Sequence, residues 1–274
     1  GGDSAKAISE LSGFKASDLE LVLYTKTAIG DGTQANNPWL QEMPDPITRM
    51  TWDNYLTMSP KDAARLGIDN DLNGRMQLDG SVVNVTVNGV TVKDVPVYIQ
   101  PGQAEGAVGL ALGYGKKNSG KVAESGVNAY PLFDGSNLTV SNVKIEKTSG
   151  SHEFAGMQLQ NTLMGRYEIA REVTLDTFLN VKFDDEKLGW NKPLEYHTIG
   201  GALPAGKIDL WDAFDDVDGP HFNLSVDLNS CTGCGACIIA CQAENNVPVV
   251  GKDEVRMSRD MFWLRIDRYY TTDI

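Results

Sequence analysis

Residues 81–100, SVVNVTVNGVTVKDVPVYIQ, decide the fold class of this chain. Valines alternate with polar residues on both sides of Asn88 and Gly89, which is the pattern of strands with one buried face. An Asn-Gly pair between two such runs is a strong signal for a two-residue turn, because both turn positions need a positive φ. The segment therefore predicts a β-hairpin, and such closely spaced strands favour a small, twisted β-barrel or sandwich.

The residues before the hairpin predict a strand, an irregular loop and a short helix. Residues 19–24, LELVLY, form an apolar run of strand length. Residues 30–46 contain three prolines within nine residues, so we expect an ordered irregular loop rather than a helix or an interior strand. Ser59 followed by Pro60 predicts the start of a helix, and Gly67 predicts its end.

The residues after the hairpin carry weaker signals. Residues 138–146, LTVSNVKIE, predict another strand, and residues 168–178, EIAREVTLDTF, predict a short helix. Residues 209–219, DLWDAFDDVDG, are rich in aspartate but lack the ligand spacing of a calcium loop. We therefore expect an acidic linker there, with a domain boundary near residue 215.

A glycine-rich stretch, residues 107–126, contains the pattern GxxxxGK at Gly115, Gly120 and Lys121. This pattern is typical of a phosphate-binding loop only when a Ser or Thr follows the lysine and the loop joins a strand to a helix. Val122 stands in that position, so we predict a plain loop.

The chain is acidic, which argues against a nucleic-acid partner. Its 274 residues include 24 Lys and Arg against 37 Asp and Glu, a net charge of −13. Basic and aromatic residues in 256–270 are interleaved with acidic ones, which favours a folded strand with ion pairs. The isolated histidines are predicted to be surface or packing residues rather than metal ligands: His152, His197 and His221.

The four cysteines form one local site in residues 231–241, CTGCGACIIAC. They are Cys231, Cys234, Cys237 and Cys241. A disulfide framework would join distant segments, whereas CxxCxxCxxxC is the bacterial iron-sulfur spacing. The alternative is a structural zinc site, but such sites combine two separated CxxC-like groups, and this sequence has no second group.

The spacing also predicts how the ligands divide. If a helix begins near Cys237, Cys241 lies one turn later, about 6 Å further along the axis. We predict that Cys231, Cys234 and Cys237 bind a first 4Fe-4S cluster and that Cys241 binds a neighbouring one. Four thiolates cannot complete two such clusters, so further ligands are expected from sequence beyond Ile274 or from another chain. Together with a start that lacks Met, this favours a fragment of a longer protein.

Two stretches resemble a known family. Residues 226–255, VDLNSCTGCGACIIACQAENNVPVVGKDEV, and residues 261–270, MFWLRIDRYY, resemble the first ferredoxin segment of the iron-sulfur subunits that partner molybdopterin oxidoreductases. Residues 37–68, NPWLQEMPDPITRMTWDNYLTMSPKDAARLGI, and the following strands resemble the C-terminal, dinucleotide-binding β-barrel domain of molybdopterin oxidoreductases. This domain order is similar to that of the iron-sulfur subunit of alternative complex III, a bacterial quinol:electron-acceptor oxidoreductase.

The resemblance implies a mainly β fold with some α. Residues 1–170 would form the molybdopterin dinucleotide-binding-like β-barrel domain without its cofactor. Residues 171–215 would be a linker, and residues 216–274 the N-terminal part of a ferredoxin-like 4Fe-4S domain.

The resemblance also implies a function, which is electron transfer through 4Fe-4S clusters in a membrane-associated respiratory complex. The implied partners include a quinol-binding membrane subunit and haem c subunits. The implied location is the periplasmic face of the bacterial inner membrane, as a peripheral protein. The alternative is a catalytic molybdopterin-dependent oxidoreductase with an attached electron-transfer domain, motivated by the glycine-rich residues 109–120.

Overall fold

The computed structural model describes residues 2–13, 17–166, 169–181, 195–208, 219–220 and 222–271. The strands in them are β1 (Glu20–Thr25), β2 (Met50–Thr51), β3 (Leu56–Met58), β4 (Asn70–Leu72), β5 (Leu78–Val87), β6 (Val90–Ile99), β7 (Ala107–Leu112), β8 (Thr139–Val140), β9 (Lys144–Glu153), β10 (Ala155–Gly156), β11 (Glu195–Thr198) and β12 (Gly201–Pro204). The helices are α1 (Ser4–Gly13), α2 (Pro38–Glu42), α3 (Pro60–Leu66), α4 (Leu175–Asn180), α5 (Ala236–Glu244) and α6 (Lys252–Arg256). The fold is mainly β with some α, as the resemblance implies.

The predicted hairpin is confirmed. β5 and β6 pair antiparallel, with Val87 opposite Val90 beside the turn. Asn88 and Gly89 adopt φ values of 49° and 82°, as a two-residue turn with two left-handed positions requires. The valines that alternate along these strands enter the main apolar core, where Val83 and Val95 have no exposed surface.

Among the described residues, eight strands form one open sheet. Its order is β4-β5-β6-β3-β7-β1-β8, and β9 also pairs with β5. No closed barrel is found in this part of the chain. β1 confirms the strand predicted at residues 19–24, and β7 runs parallel to it. The expectation of a plain loop throughout residues 107–126 was wrong, because residues 107–112 are a buried strand between β1 and β3.

Two helix predictions had different outcomes. α3 is confirmed: the Ser59 hydroxyl accepts a hydrogen bond from the Asp62 N–H (3.1 Å), and Gly67 ends the helix at φ 64°. The expectation that residues 30–46 contain no helix was wrong, because α2 lies within them. Pro38 occupies the first helical position, where a missing N–H costs nothing, and the Asn37 side chain caps Trp39 N.

The later elements follow the sequence less closely. The strand predicted at residues 138–146 is divided between β8 and β9, and α4 overlaps only the end of the helix predicted at residues 168–178. Residues 261–270 form no strand, although the predicted ion pairs exist, with Arg265 3.0 Å from Asp267. No helix in the described ranges has both the length and the apolar character needed to cross a bilayer.

The chain divides into two compact units. The first comprises Gly1–Asn161 with Ser230–Ile274, and contains the large sheet and the cysteine segment. The second comprises Thr162–Asn229 and contains α4 and the β11–β12 hairpin. The division into residues 1–170, 171–215 and 216–274 stays a prediction. The acidic residues 209–218 and His221 lie outside the described residues.

Candidate functional site

The cysteine motif consists of a loop, residues 231–235, followed by a helix that starts near Cys237, as the spacing predicts. Residues 231–235 are called the cysteine loop below. α5 begins at Ala236, so Cys237 lies in its first turn and Cys241 one turn later. Two glycines precede the helix in left-handed conformations, Gly233 at φ 70° and Gly235 at φ 77°. Residues with a Cβ pay a steric penalty in this region, so the backbone alone already favours glycine at both positions.

The floor of the cysteine loop is formed by Met43, Pro46 and Arg49, and these three residues are called the floor below. A Cβ atom placed on Gly235 would lie 2.6 Å from Cε of Met43. A Cβ atom placed on Gly233 would lie 3.0 Å from Nη2 of Arg49 and 3.5 Å from the Pro46 carbonyl oxygen. The small spacers between the cysteines therefore leave room for the floor. Sequence reasoning missed these residues, and its only signal was the pair of glycines.

The four thiols differ in exposure. Cys231 and Cys237 are exposed, whereas Cys234 and Cys241 are half-buried. The backbone amide of Ala236, and then the Thr232 side chain, lower the pKa of the Cys234 thiol. A lower pKa favours the thiolate, which is the form that binds metal.

The chemistry of these donors fits an iron-sulfur cluster. Four thiols lie within eleven residues, two left-handed glycines bend the chain between them, and the Ala236 backbone amide lowers the pKa of the Cys234 thiol. In the described ranges, no three Cys, His, Asp or Glu side chains converge as a group able to hold a metal ion. The division of the ligands between two clusters therefore stays a prediction.

The segment that follows α5 is tied to the region around α2. The indole Nε1 of Trp39 donates to the Val247 carbonyl oxygen (2.9 Å). The buried Glu42 carboxylate accepts hydrogen bonds from the backbone N–H of Gly251 (2.8 Å) and Val250 (3.2 Å), and from Nε1 of Trp52 (3.2 Å). Burial raises the pKa of Glu42 in spite of these donors. The cysteine helix is thus held at its far end by hydrogen bonds that involve no thiol.

A second anchor lies at the start of α6. The buried Asp53 carboxylate is 2.6 Å from Nζ of Lys252 and 3.0 Å from Nε2 of His152. Burial alone would raise the pKa of Asp53, but these two partners outweigh it and the pKa is lowered. His152 is half-buried and hydrogen-bonded to Asp53, which is consistent with the packing role predicted for it. His197 lies in β11 and is exposed.

The comparisons with known proteins agree with this reading of the cysteines. Residues 224–244 match the family model described as the 4Fe-4S binding domain. The chain is thus an iron-sulfur protein, and the chemistry of that class is the transfer of single electrons.

One curated relative is similar to this chain over a short segment. Over 26 residues the chain is 62% identical to the protein named menaquinone reductase, iron-sulfur cluster-binding subunit, of Nitratidesulfovibrio vulgaris. The alignment covers 10% of this chain and 10% of that protein. The chain therefore spans about a tenth of the length of the curated relative that it matches.

Proposed function

We propose that this chain is an electron-transfer subunit of a membrane-associated quinol:electron-acceptor oxidoreductase of the respiratory chain. In this proposal it corresponds to the iron-sulfur subunit of alternative complex III, with a molybdopterin-type domain that no longer holds a pterin. The observation that carries the proposal is the CxxCxxCxxxC segment inside the 4Fe-4S match. The named function of the menaquinone reductase relative supports a respiratory quinone as the redox partner.

The residues of this chain would act by holding and tuning the clusters. A bound 4Fe-4S cluster supplies a site that accepts and releases one electron at a time. Cys231, Cys234 and Cys237 would hold the first cluster, and Cys241 would reach a neighbouring one. The Ala236 amide, which favours the Cys234 thiolate, would donate to the Cys234 sulfur, and such hydrogen bonds stabilise the more negative, reduced state. The remaining ligands would come from outside these 274 residues.

Cysteine variants of the full chain test this assignment. The wild-type chain, together with the segment or subunit that supplies the remaining ligands, should bind about four iron atoms for each cluster when it is reconstituted without oxygen with ferrous iron and sulfide. It should then give an electron paramagnetic resonance (EPR) signal when reduced. Cys234→Ser should lose the first cluster, whereas Cys241→Ser, its matched control, should keep it. Stoichiometric zinc without iron or sulfide in the wild type would contradict the proposal. Equal loss in both variants would contradict the division of ligands.

Membership in a respiratory complex needs the partner subunits. We propose a quinol-binding membrane subunit and haem c subunits as partners, and a peripheral position on the periplasmic face of the bacterial inner membrane. In membranes that contain the chain with its partners, menaquinol should reduce the clusters and change their EPR signal. Clusters that stay oxidised while the membranes oxidise menaquinol would contradict this role.

A second candidate function is supported by one cavity in the first unit. A space of about 600 Å³ is lined by Asp31, Tyr114, Lys116, Lys117 and neighbouring residues, where β7 ends. Two lysines beside a glycine-rich turn suit an anionic ligand. A catalytic molybdenum enzyme would use such a space for a pterin nucleotide. Elemental analysis of the intact protein separates the candidates, because stoichiometric molybdenum or tungsten would favour the second.

A further inference from the structure

Arg49 is an unusual residue beneath the cysteine loop. Only 2% of its surface is exposed, and among the described residues its Nε has no hydrogen-bond partner. Its backbone adopts φ 60°, a conformation that a residue with a Cβ rarely occupies without a reason. Buried arginines are normally paired because removing a charge from water is costly. Arg49 therefore combines an unpaired buried donor with a strained backbone.

The guanidinium group of Arg49 lies against the first spacer of the cysteine motif. Its Nη2 would be 3.0 Å from a Cβ atom on Gly233, between Cys231 and Cys234. Burial, and then the nearby Arg268, lowers the pKa of Arg49, whereas the charges of Asp45 and Asp267 oppose this shift. The short distance to the Gly233 position places the guanidinium group directly beside the cysteine loop.

The other charged groups around Arg49 are already engaged. Asp45 lies 3.9 Å from Nζ of Lys26, and Asp267 lies 3.0 Å from Arg265. Arg268 donates to backbone carbonyl oxygens, including that of Ile47 at 2.6 Å. Among the described residues, Arg49 has no ion pair of its own. A cluster bound by the cysteine loop would bring negative charge next to its guanidinium group.

We propose that Arg49 supplies the fixed positive charge that offsets the negative charge of the cysteine loop when the loop holds an iron-sulfur cluster. The inference rests on the proposed function and adds a potential-tuning residue to it. Thiolate-ligated clusters become more negative on reduction, so a buried cation nearby favours the reduced form and raises the reduction potential. Arg49 would act through the loop and would not be a ligand.

The test compares reduction potentials in the reconstituted full chain by EPR-monitored titration. Arg49→Met keeps the length of the side chain and removes its charge, and Arg49→Lys keeps the charge. At about 10 Å and an effective dielectric constant of about 20, loss of one charge should change the ratio of reduced to oxidised cluster about tenfold, or ~59 mV for one electron. We expect this negative shift in Arg49→Met and a much smaller one in Arg49→Lys. Arg259→Met, which removes an exposed arginine paired with Glu254, should leave the potential unchanged.

A purely structural role of Arg49 would have a different signature. It would lower the urea midpoint of Arg49→Met without moving the potential, and that result would overturn the inference. An equal shift in Arg49→Met and Arg49→Lys would also overturn it, because the charge would not be the cause.

If Arg49→Met does not fold, Arg49→Gln provides the second arm, because it also removes the charge and keeps a polar side chain. It should shift the potential in the negative direction, whereas Arg259→Met should not. A potential in Arg49→Gln equal to that of the wild type would overturn the inference. A wild-type protein that takes up no iron, although the remaining ligands are supplied, would instead refute the proposed function, so the two failures are distinguishable.

Discussion

Gly235→Ala is the sharpest test of the packing between the cysteine loop and its floor. Gly235 has φ 77° and ψ 6°, and a Cβ atom there would lie 2.6 Å from Cε of the buried Met43. The left-handed backbone costs an alanine about 1 kcal/mol. Displacing the end of a packed methionine adds about 1 to 2 kcal/mol, which is typical of overpacking. We therefore expect Gly235→Ala to lower the free energy of unfolding by about 2 to 3 kcal/mol.

Gly67→Ala is the matched control for this variant. Gly67 has φ 64° and ψ 35° at the end of α3, and no atom lies within 4 Å of the position that its Cβ would take. It should therefore show the backbone cost of about 1 kcal/mol without the overlap. The unfolding of both variants by urea can be followed by tryptophan fluorescence, since Trp52 is buried in the same unit.

A double-mutant cycle separates the overlap from the strain. Met43→Ala alone should cost about 2 to 3 kcal/mol, because it leaves a cavity. In the double variant the methyl group introduced by Gly235→Ala enters that cavity, so the double variant should be more stable than the sum of the single changes by about 1 to 2 kcal/mol. If the free-energy changes of the two single variants sum to that of the double variant within about 0.5 kcal/mol, the proposed contact between the loop and its floor is refuted.

Three further changes test the anchors and the fold. Asp53→Asn should cost about 2 to 3 kcal/mol at pH 7, because it leaves Lys252 and His152 without their carboxylate. The folded-state pKa of Asp53 is lowered, so the ionised carboxylate stabilises the folded protein above about pH 4. This contribution is lost as the pH falls through the folded-state pKa. The urea midpoints of the wild type and Asp53→Asn should therefore converge in acid. Asn37→Ala should lower the free energy of unfolding by about 1 kcal/mol, measured by thermal unfolding, because it removes the side chain that caps α2. Asn37→Asp should retain most of this stability, because aspartate can also cap the helix. Gly89→Ala should cost about 1 kcal/mol because the turn needs φ 82°, and an unchanged melting temperature would contradict the assigned turn.

The sequence correctly predicted the structural features that depend only on neighbouring residues. The Asn88-Gly89 turn and the Ser59 cap were correctly predicted because a turn and a helix start depend on a few neighbouring residues. α2 was missed because the prolines of residues 30–46 were counted without regard to position. Pro38 stands at the one helical position that tolerates it. β7 was missed because it lies in a glycine-rich stretch and because its partner strand, β1, is distant in sequence.

In the candidate site, too, the sequence predicted what neighbouring residues determine and missed the contacts between distant residues. The cysteines and the start of α5 follow from spacing, since every residue involved lies within a short segment. The floor and the anchors could not be predicted, because they join residues far apart in the chain. Trp39 and Val247, for example, are 208 positions apart. A single sequence offers no periodicity or motif that links such residues.

The surroundings of the cysteine segment come mainly from one short stretch of the chain, residues 39–53. This stretch supplies the floor, the Trp39 and Glu42 hydrogen bonds beyond α5 and the Asp53 contact with α6. None of these contacts uses a thiol. In a zinc finger the metal provides the folding energy, so the empty chain unfolds. Here the segment has hydrogen-bonded and ion-paired anchors that do not use the thiols, so we expect it to fold without metal. The β unit would thus serve electron transfer by holding the cysteine loop in place and by placing Arg49 beneath it.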